Sequence, residues 1–164
     1  MVKAFVIGLA AGLLAACSGS SSEPAAATTP TIDPVAVKYV ALTHSFWAAY
    51  VSAEYVSAGK NAGDVCIVNV DMRACAARGQ AMIPVLQKFL ADLDTTPAPA
   101  KFAADDSKIR RQLPIAIADL KASVQAALAG NQGTFTTDIN AYVDDMVPAV
   151  TDALNHVDPA VAHV

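Results

Sequence analysis

Apolar residues recur at a helical period from Val35 almost to the end of the chain, in four blocks parted by turn residues. In the first, over about 34–60, Val35, Tyr39, Leu42, Phe46, Ala49, Ala53 and Val56 keep an unbroken 4-3-4-3-4-3 spacing, the seam of a bundle helix. Asp33 and Pro34 open it: an acceptor side chain at the N-cap and a proline at the first helical position. The second block, over about 72–93, sets Cys75, Met82, Leu86, Phe89 and Leu93 on one stripe, with Asp71 placed to cap it. The third, over about 100–129, shows Phe102, Ile109, Leu113, Ala116, Leu120, Val124 and Ala127. The fourth, over about 135–157, shows Phe135, Ile139, Tyr142, Met146, Val150, Leu154 and Val157. Turn signals lie between them, from Gly59 to Asp71, from Thr95 to Pro99, and at Gly130-Asn131-Gln132-Gly133.

Short connections make consecutive helices antiparallel neighbours, so the pattern predicts an all-α domain over 34–158, an up-down-up-down four-helix bundle, with 159–164 fraying at the end. Pro84, Pro114 and Pro148 fall inside the last three helices, where a proline removes a backbone hydrogen bond, so these helices are expected to bend or split. Such kinks open a pocket in one reading and merely fit the helices to the core in the other.

The first helix carries a second apolar stripe of Val37, Val40, His44, Trp47, Val51 and Tyr55, centred roughly 160° from the first at 100° per residue. Either this helix is buried on two sides, or Val40, His44, Trp47, Val51 and Tyr55 form a partner or ligand face, since tryptophan and tyrosine are enriched at interface hot spots.

Ahead of the helices, the apolar run from Ala4 to Ala16 is about 13 residues, short of the roughly 20 needed to cross a bilayer. It reads as a signal peptide. Leu14-Ala15-Ala16-Cys17, followed by Ser-Gly-Ser-Ser-Ser, resembles the lipobox of bacterial lipoproteins. The resemblance implies cleavage after residue 16, a diacylglyceryl thioether on Cys17, and a protein held through that lipid on the extracytoplasmic face of the cell membrane. Residues 17–33 then form the acylated cysteine and a flexible Ser-, Ala-, Thr- and Pro-rich tether.

Cleavage would remove Lys3, leaving 10 of the 11 Lys and Arg residues against 15 Asp and Glu, a formal net charge of −5. Such a balance supplies no footprint for nucleic acid. With Cys17 acylated, Cys66 and Cys75 remain as an even pair on the oxidising side of a membrane and are expected to form a disulfide. A redox pair normally has C-x-x-C spacing, and a structural zinc site wants four ligands.

Chemistry is sparse. The only glutamates are Glu23 and Glu54, too few for a di-iron carboxylate bundle, and no haem-attachment, H-E-x-x-H or phosphate-loop motif is present. His44, His156 and His163 are the only histidines. The clustered aspartates Asp105-Asp106, Asp144-Asp145 and Asp92 with Asp94 read as solvated helical faces, with Lys108, Arg110 and Arg111 placed after Asp105-Asp106 to form i,i+4 pairs. No catalytic residue, metal site or cofactor is expected. The sequence therefore points to a non-catalytic envelope lipoprotein that meets an envelope protein or a second copy through the aromatic face of its first helix. The alternative is a carrier of a small apolar ligand, lipid-like or haem, held between kinked helices.

Overall fold

The start of the first helix is set by Asp33, whose Oδ1 accepts from the Val35 N–H at 2.9 Å and whose carbonyl accepts from Val37 N–H at 3.1 Å. Pro34, with no N–H to satisfy, takes the first helical position between them. The computed structural model describes residues 33–55, 66 and 70–159. The signal segment, Cys17, nearly all of the tether and the last five residues lie outside them. The regular structure among the described residues is all helical, with no strand.

Helix α1 runs Pro34–Tyr55, α2 Met72–Thr95, α3 Ala103–Leu128 and α4 Gln132–Asp145. A π-helical turn over Met146–Thr151 carries the chain from α4 directly into a short α5, Asp152–Val157, so the fourth helix of the sequence pattern is one composite element. Helix α3 packs on α2, α4 and α5, while α1 packs on α2 and touches α5.

Local chemistry explains the boundaries. Asp71 caps α2, its Oδ1 accepting from Ala74 N–H at 3.0 Å. Helix α3 begins after a 3₁₀ turn, Ala100–Phe102, rather than at residue 100. It ends in a Schellman arrangement around Gly130, where φ is +69°. Asn131 N–H reaches Ala126 O at 2.9 Å and Gly130 N–H reaches Ala127 O at 3.1 Å. Asn131 then starts α4 three residues earlier than the apolar pattern suggested, its Oδ1 accepting from Thr134 N–H at 3.2 Å.

The prolines do not split α2 or α3, contrary to one of the two expected outcomes. Pro84 and Pro114 are both exposed, so the carbonyls of Gln80 and Arg110 that lose a helical donor lie on the water-facing side of their helices. At Pro148 the chain widens into the π turn and continues into α5, which is how a helix commonly absorbs a missing i→i−4 bond.

Helix α1 differs from its predicted seam. Its buried positions are Ala36, Tyr39, Thr43, Phe46, Tyr50 and Ala53, whereas Leu42 is half-buried, Ala49 is exposed and Val35 is 39% exposed. Tyr39, Phe46 and Ala53 are shared with the prediction; replacing 42 and 49 by 43 and 50 turns the buried face by about 50°. Two polar groups make that turn tolerable. Thr43 Oγ1 donates to the Val40 carbonyl at 2.8 Å, and Tyr50 shares a 2.7 Å hydrogen bond with the Tyr142 hydroxyl inside the core. Phe46 stacks on Phe89 of α2 with ring centres 3.9 Å apart.

Candidate functional site

The rotation of α1 decides where the second stripe lies. Val40, Trp47 and Val51 are half-buried and pack against the edge of the core, so the stripe is neither a second buried face nor a free surface along its length. Towards the start of the helix it opens: Val37 is 54% exposed. The Tyr55 side chain lies outside the described residues.

Trp47 stacks on Tyr50, its neighbour toward the core, at 5.4 Å between ring centres and 23° between planes. Its indole Nε1 is buried and has no hydrogen-bond partner among the described residues. An indole N–H out of water without an acceptor is unfavourable.

His44 is held from outside the helix. Its side chain is 63% exposed, and Nδ1 lies 3.0 Å from Oδ2 of Asp158, whose side chain is only 9% exposed. The residue that interrupts the apolar stripe thus links α1 to the segment following α5.

A polar network built around the start of α3 was not legible as such. Tyr39 of α1 donates to Asp106 Oδ1 at 2.9 Å, and Arg110 Nε donates to Asp106 Oδ2 at 2.7 Å. Arg110 also reaches Asp94 Oδ1 at 2.9 Å and the Leu93 carbonyl at the end of α2. His156 Nδ1 lies 2.8 Å from Asp105 Oδ2. Burial first, then the bond to the Asp106 carboxylate, pushes the Tyr39 phenol well above its ordinary range. The bond to Asp106 likewise holds the Arg110 guanidinium in its charged form. Asp105 and Asp106 are therefore partly buried and committed to named partners, which corrects their reading as a solvated face; the Asp106–Arg110 pair at i,i+4 follows the expected spacing. Among the described residues, no group of three or more His, Cys, Asp or Glu side chains could hold a metal ion.

At the other end, Cys66 and Cys75 form the expected disulfide. Three residues after Cys75 on α2 stands a side chain that the sequence reading passed over. Arg78 of α2 is 1% exposed, and its Nη1 donates to the Glu54 carbonyl in the last turn of α1 at 3.0 Å. The signal was a gap: the α2 stripe jumps seven residues from Cys75 to Met82, and the missing helical turn is filled by Arg78 and Gly79.

Two depressions flank α2. A cleft of about 110 Å³ lies against α1, floored by Leu42, Phe46, Ala49, Val85 and Phe89, with Lys88 and Asp92 at its rim. A wider, open groove of about 380 Å³ lies against α3, lined by Leu90, Ala91, Pro114 and Ile117 with Asp94 and Lys121. Among the described residues, no helix is long and apolar enough to cross a membrane.

Comparison with family models, with curated proteins and with solved structures finds no match.

Proposed function

We propose that this chain is a non-catalytic cell-envelope lipoprotein whose helical domain is an interaction module, with the Val37–Val51 edge of α1 as its contact face. The observation that carries this reading is Trp47: a half-buried aromatic anchor with an unpartnered, buried indole N–H, flanked by Val40, Val51 and the exposed Val37. Large aromatics supply much of the binding energy in many interfaces. His44 marks the polar rim of this face. Its occupant is another envelope protein or a second copy of the chain.

The remaining parts of the proposal rest on sequence. Resemblance of Leu14–Cys17 to a lipobox supports acylation of Cys17 and attachment to the extracytoplasmic side of the membrane. An acidic net charge supports a protein partner over nucleic acid. The near-absence of glutamate and of any recognised nucleophile arrangement supports a binding role over an enzymatic one. An up-down-up-down order, with bends at the prolines, is the topology the short connections favour.

Among the described residues, the two depressions beside α2 lend the carrier alternative little support. Small-molecule sites usually occupy about 300–1,000 Å³ and enclose most of the ligand. The apolar α1–α2 cleft, at about 110 Å³, is too small for haem or a lipid chain, and the larger α2–α3 groove is open and partly charged.

Two experiments test the proposal. Incorporation of labelled fatty acid that persists in Cys17→Ala contradicts the anchor. For the face, Val37→Asp puts a charge on an exposed position without touching the core. The proposal predicts that it and Trp47→Ala weaken the same complex at least tenfold while the helical circular dichroism signal is retained. Unchanged binding by both variants contradicts it.

A further inference from the structure

Arg78 is a buried cation that the interaction proposal leaves without a role. It stands three residues after Cys75 on the buried face of α2, and residues at that spacing are neighbours on a helix surface. Long helical side chains lie back over the preceding turn, which carries the guanidinium towards the first turn of α2, where Cys75 is bonded to Cys66. The 3.0 Å bond from Nη1 to the Glu54 carbonyl places it at the junction between the end of α1 and the start of α2. Its Nε and Nη2 are also buried, and neither has a hydrogen-bond partner among the described residues.

A second, independent feature favours negative charge at the same place. Cys75 lies in the first turn of α2, where the amino end of the helix favours a thiolate and the capping Asp71 carboxylate opposes it. A disulfide whose reduced form is stabilised in this way is more readily reduced than an ordinary structural bridge.

We infer that Cys66–Cys75 is a redox-sensitive clasp in which Arg78 and the first turn of α2 stabilise Cys75 as a thiolate. The reductant is a dithiol. Its thiolate attacks Sγ of Cys66, the S–S bond breaks, and Cys75 leaves with the electron pair. The second thiol of the reductant then closes on the mixed disulfide and releases Cys66, which takes up a proton. The dithiol ends as a disulfide, two electrons have passed to the protein, and one proton is released because Cys75 stays ionised. Both cysteines are buried, so attack follows a local opening, which slows exchange without moving its equilibrium. The clasp does not depend on what α1 binds.

The test uses the full chain with Cys17→Ser, so that only the pair titrates. It is equilibrated in mixtures of reduced and oxidised dithiothreitol, quenched by alkylation and weighed. In Arg78→Met the equilibrium constant for reduction is expected to fall about tenfold, equivalent to about 30 mV for a two-electron couple, while Arg78→Lys keeps most of the wild-type value. An unchanged constant in a helical Arg78→Met protein overturns the inference. A second measurement decides the case if Arg78→Met fails to fold. The reduced protein with Arg78 in place is expected to keep its ultraviolet thiolate absorbance down to about pH 7, below the ordinary cysteine range near about 8.5. Titration in that ordinary range overturns it.

Discussion

Gly79 of α2 faces Val124 of α3 with no room between them for a methyl group: a Cβ on residue 79 would stand 2.3 Å from Val124 Cγ2 and 3.4 Å from Leu120 Cδ1. Glycine inside a helix costs about 1 kcal/mol relative to alanine, so its presence there is explained by the close approach of the two helices. Gly79→Ala is expected to destabilise by about 1–2 kcal/mol net, because overpacking of about 1–3 kcal/mol outweighs the gain in helix propensity. Urea denaturation measures it, and adding Val124→Ala should recover part of the loss. A stabilised Gly79→Ala protein would mean that α2 and α3 lie further apart.

The Tyr50–Tyr142 pair ties α1 to α4 across the core. Burial, the largest cause for both, pushes these phenols above their ordinary range, and Tyr39 shifts the same way. A raised phenol resists ionisation in the folded state, so the protection is complete below the unfolded value near about 10 and is lost as pH rises above it. Tyrosinate absorbance of these three residues should therefore appear together with loss of helical signal in alkali. Independent titration near pH 10 in the folded protein would contradict their burial. Tyr142→Phe alone should cost about 1–2 kcal/mol by leaving the Tyr50 hydroxyl unpaired, and the double Phe variant should cost less than the two singles summed.

Asp119 on α3 feels the carboxylates of Asp145 and Asp138. Burial first, then its interaction with Asp145, raises the Asp119 carboxyl above its ordinary value. A raised carboxyl favours folding only while protonated: the contribution is present below about pH 4 and is lost as pH rises through the folded value. Asp119→Asn should stabilise the protein by about 0.5 kcal/mol at pH 7, a small figure because the site is partly exposed, and by nothing near pH 3. Equal effects at both pH values, read from thermal melts, would remove the like-charge account.

Arg110 of α3 ties its helix to the end of α2 by holding Asp106, Asp94 and the Leu93 carbonyl. A lysine cannot reproduce that fork, so Arg110→Lys should cost about 1–2 kcal/mol despite conserving the charge. Hydrogen exchange should rise first at the end of α2 and the start of α3.

The four helical blocks, the caps at Asp33 and Asp71 and the disulfide were readable because each depends on local chemistry: a 3.6-residue period, a side chain that reaches its own backbone, an even pair of cysteines. The facing of α1 was not. Its pattern offered Leu42 and Ala49 as good core residues, and the long-range Tyr50–Tyr142 bond, spanning 92 residues, favours Tyr50 over Ala49 instead. That same turn set the candidate site, moving Val40, Trp47 and Val51 to the border of the core. Arg78 was missed because composition rules place arginine outside, and its burial depends on the end of α1, which no pattern within α2 records. Asp105 and Asp106 were misread for a related reason: the groups that engage them, Tyr39 and His156, lie 67 and 51 residues away.

The central claim is that the exposed edge of α1 meets a protein. Photocrosslinking inside intact cells tests it most directly, with a light-activated amino acid placed at His44, on the edge of the stripe, and in a separate strain at Gln125, exposed on α3. The account predicts an adduct of one defined mass from position 44, none from position 125, and loss of the first when Val37→Asp is added. Matching adducts from both positions, or none from position 44, would contradict it.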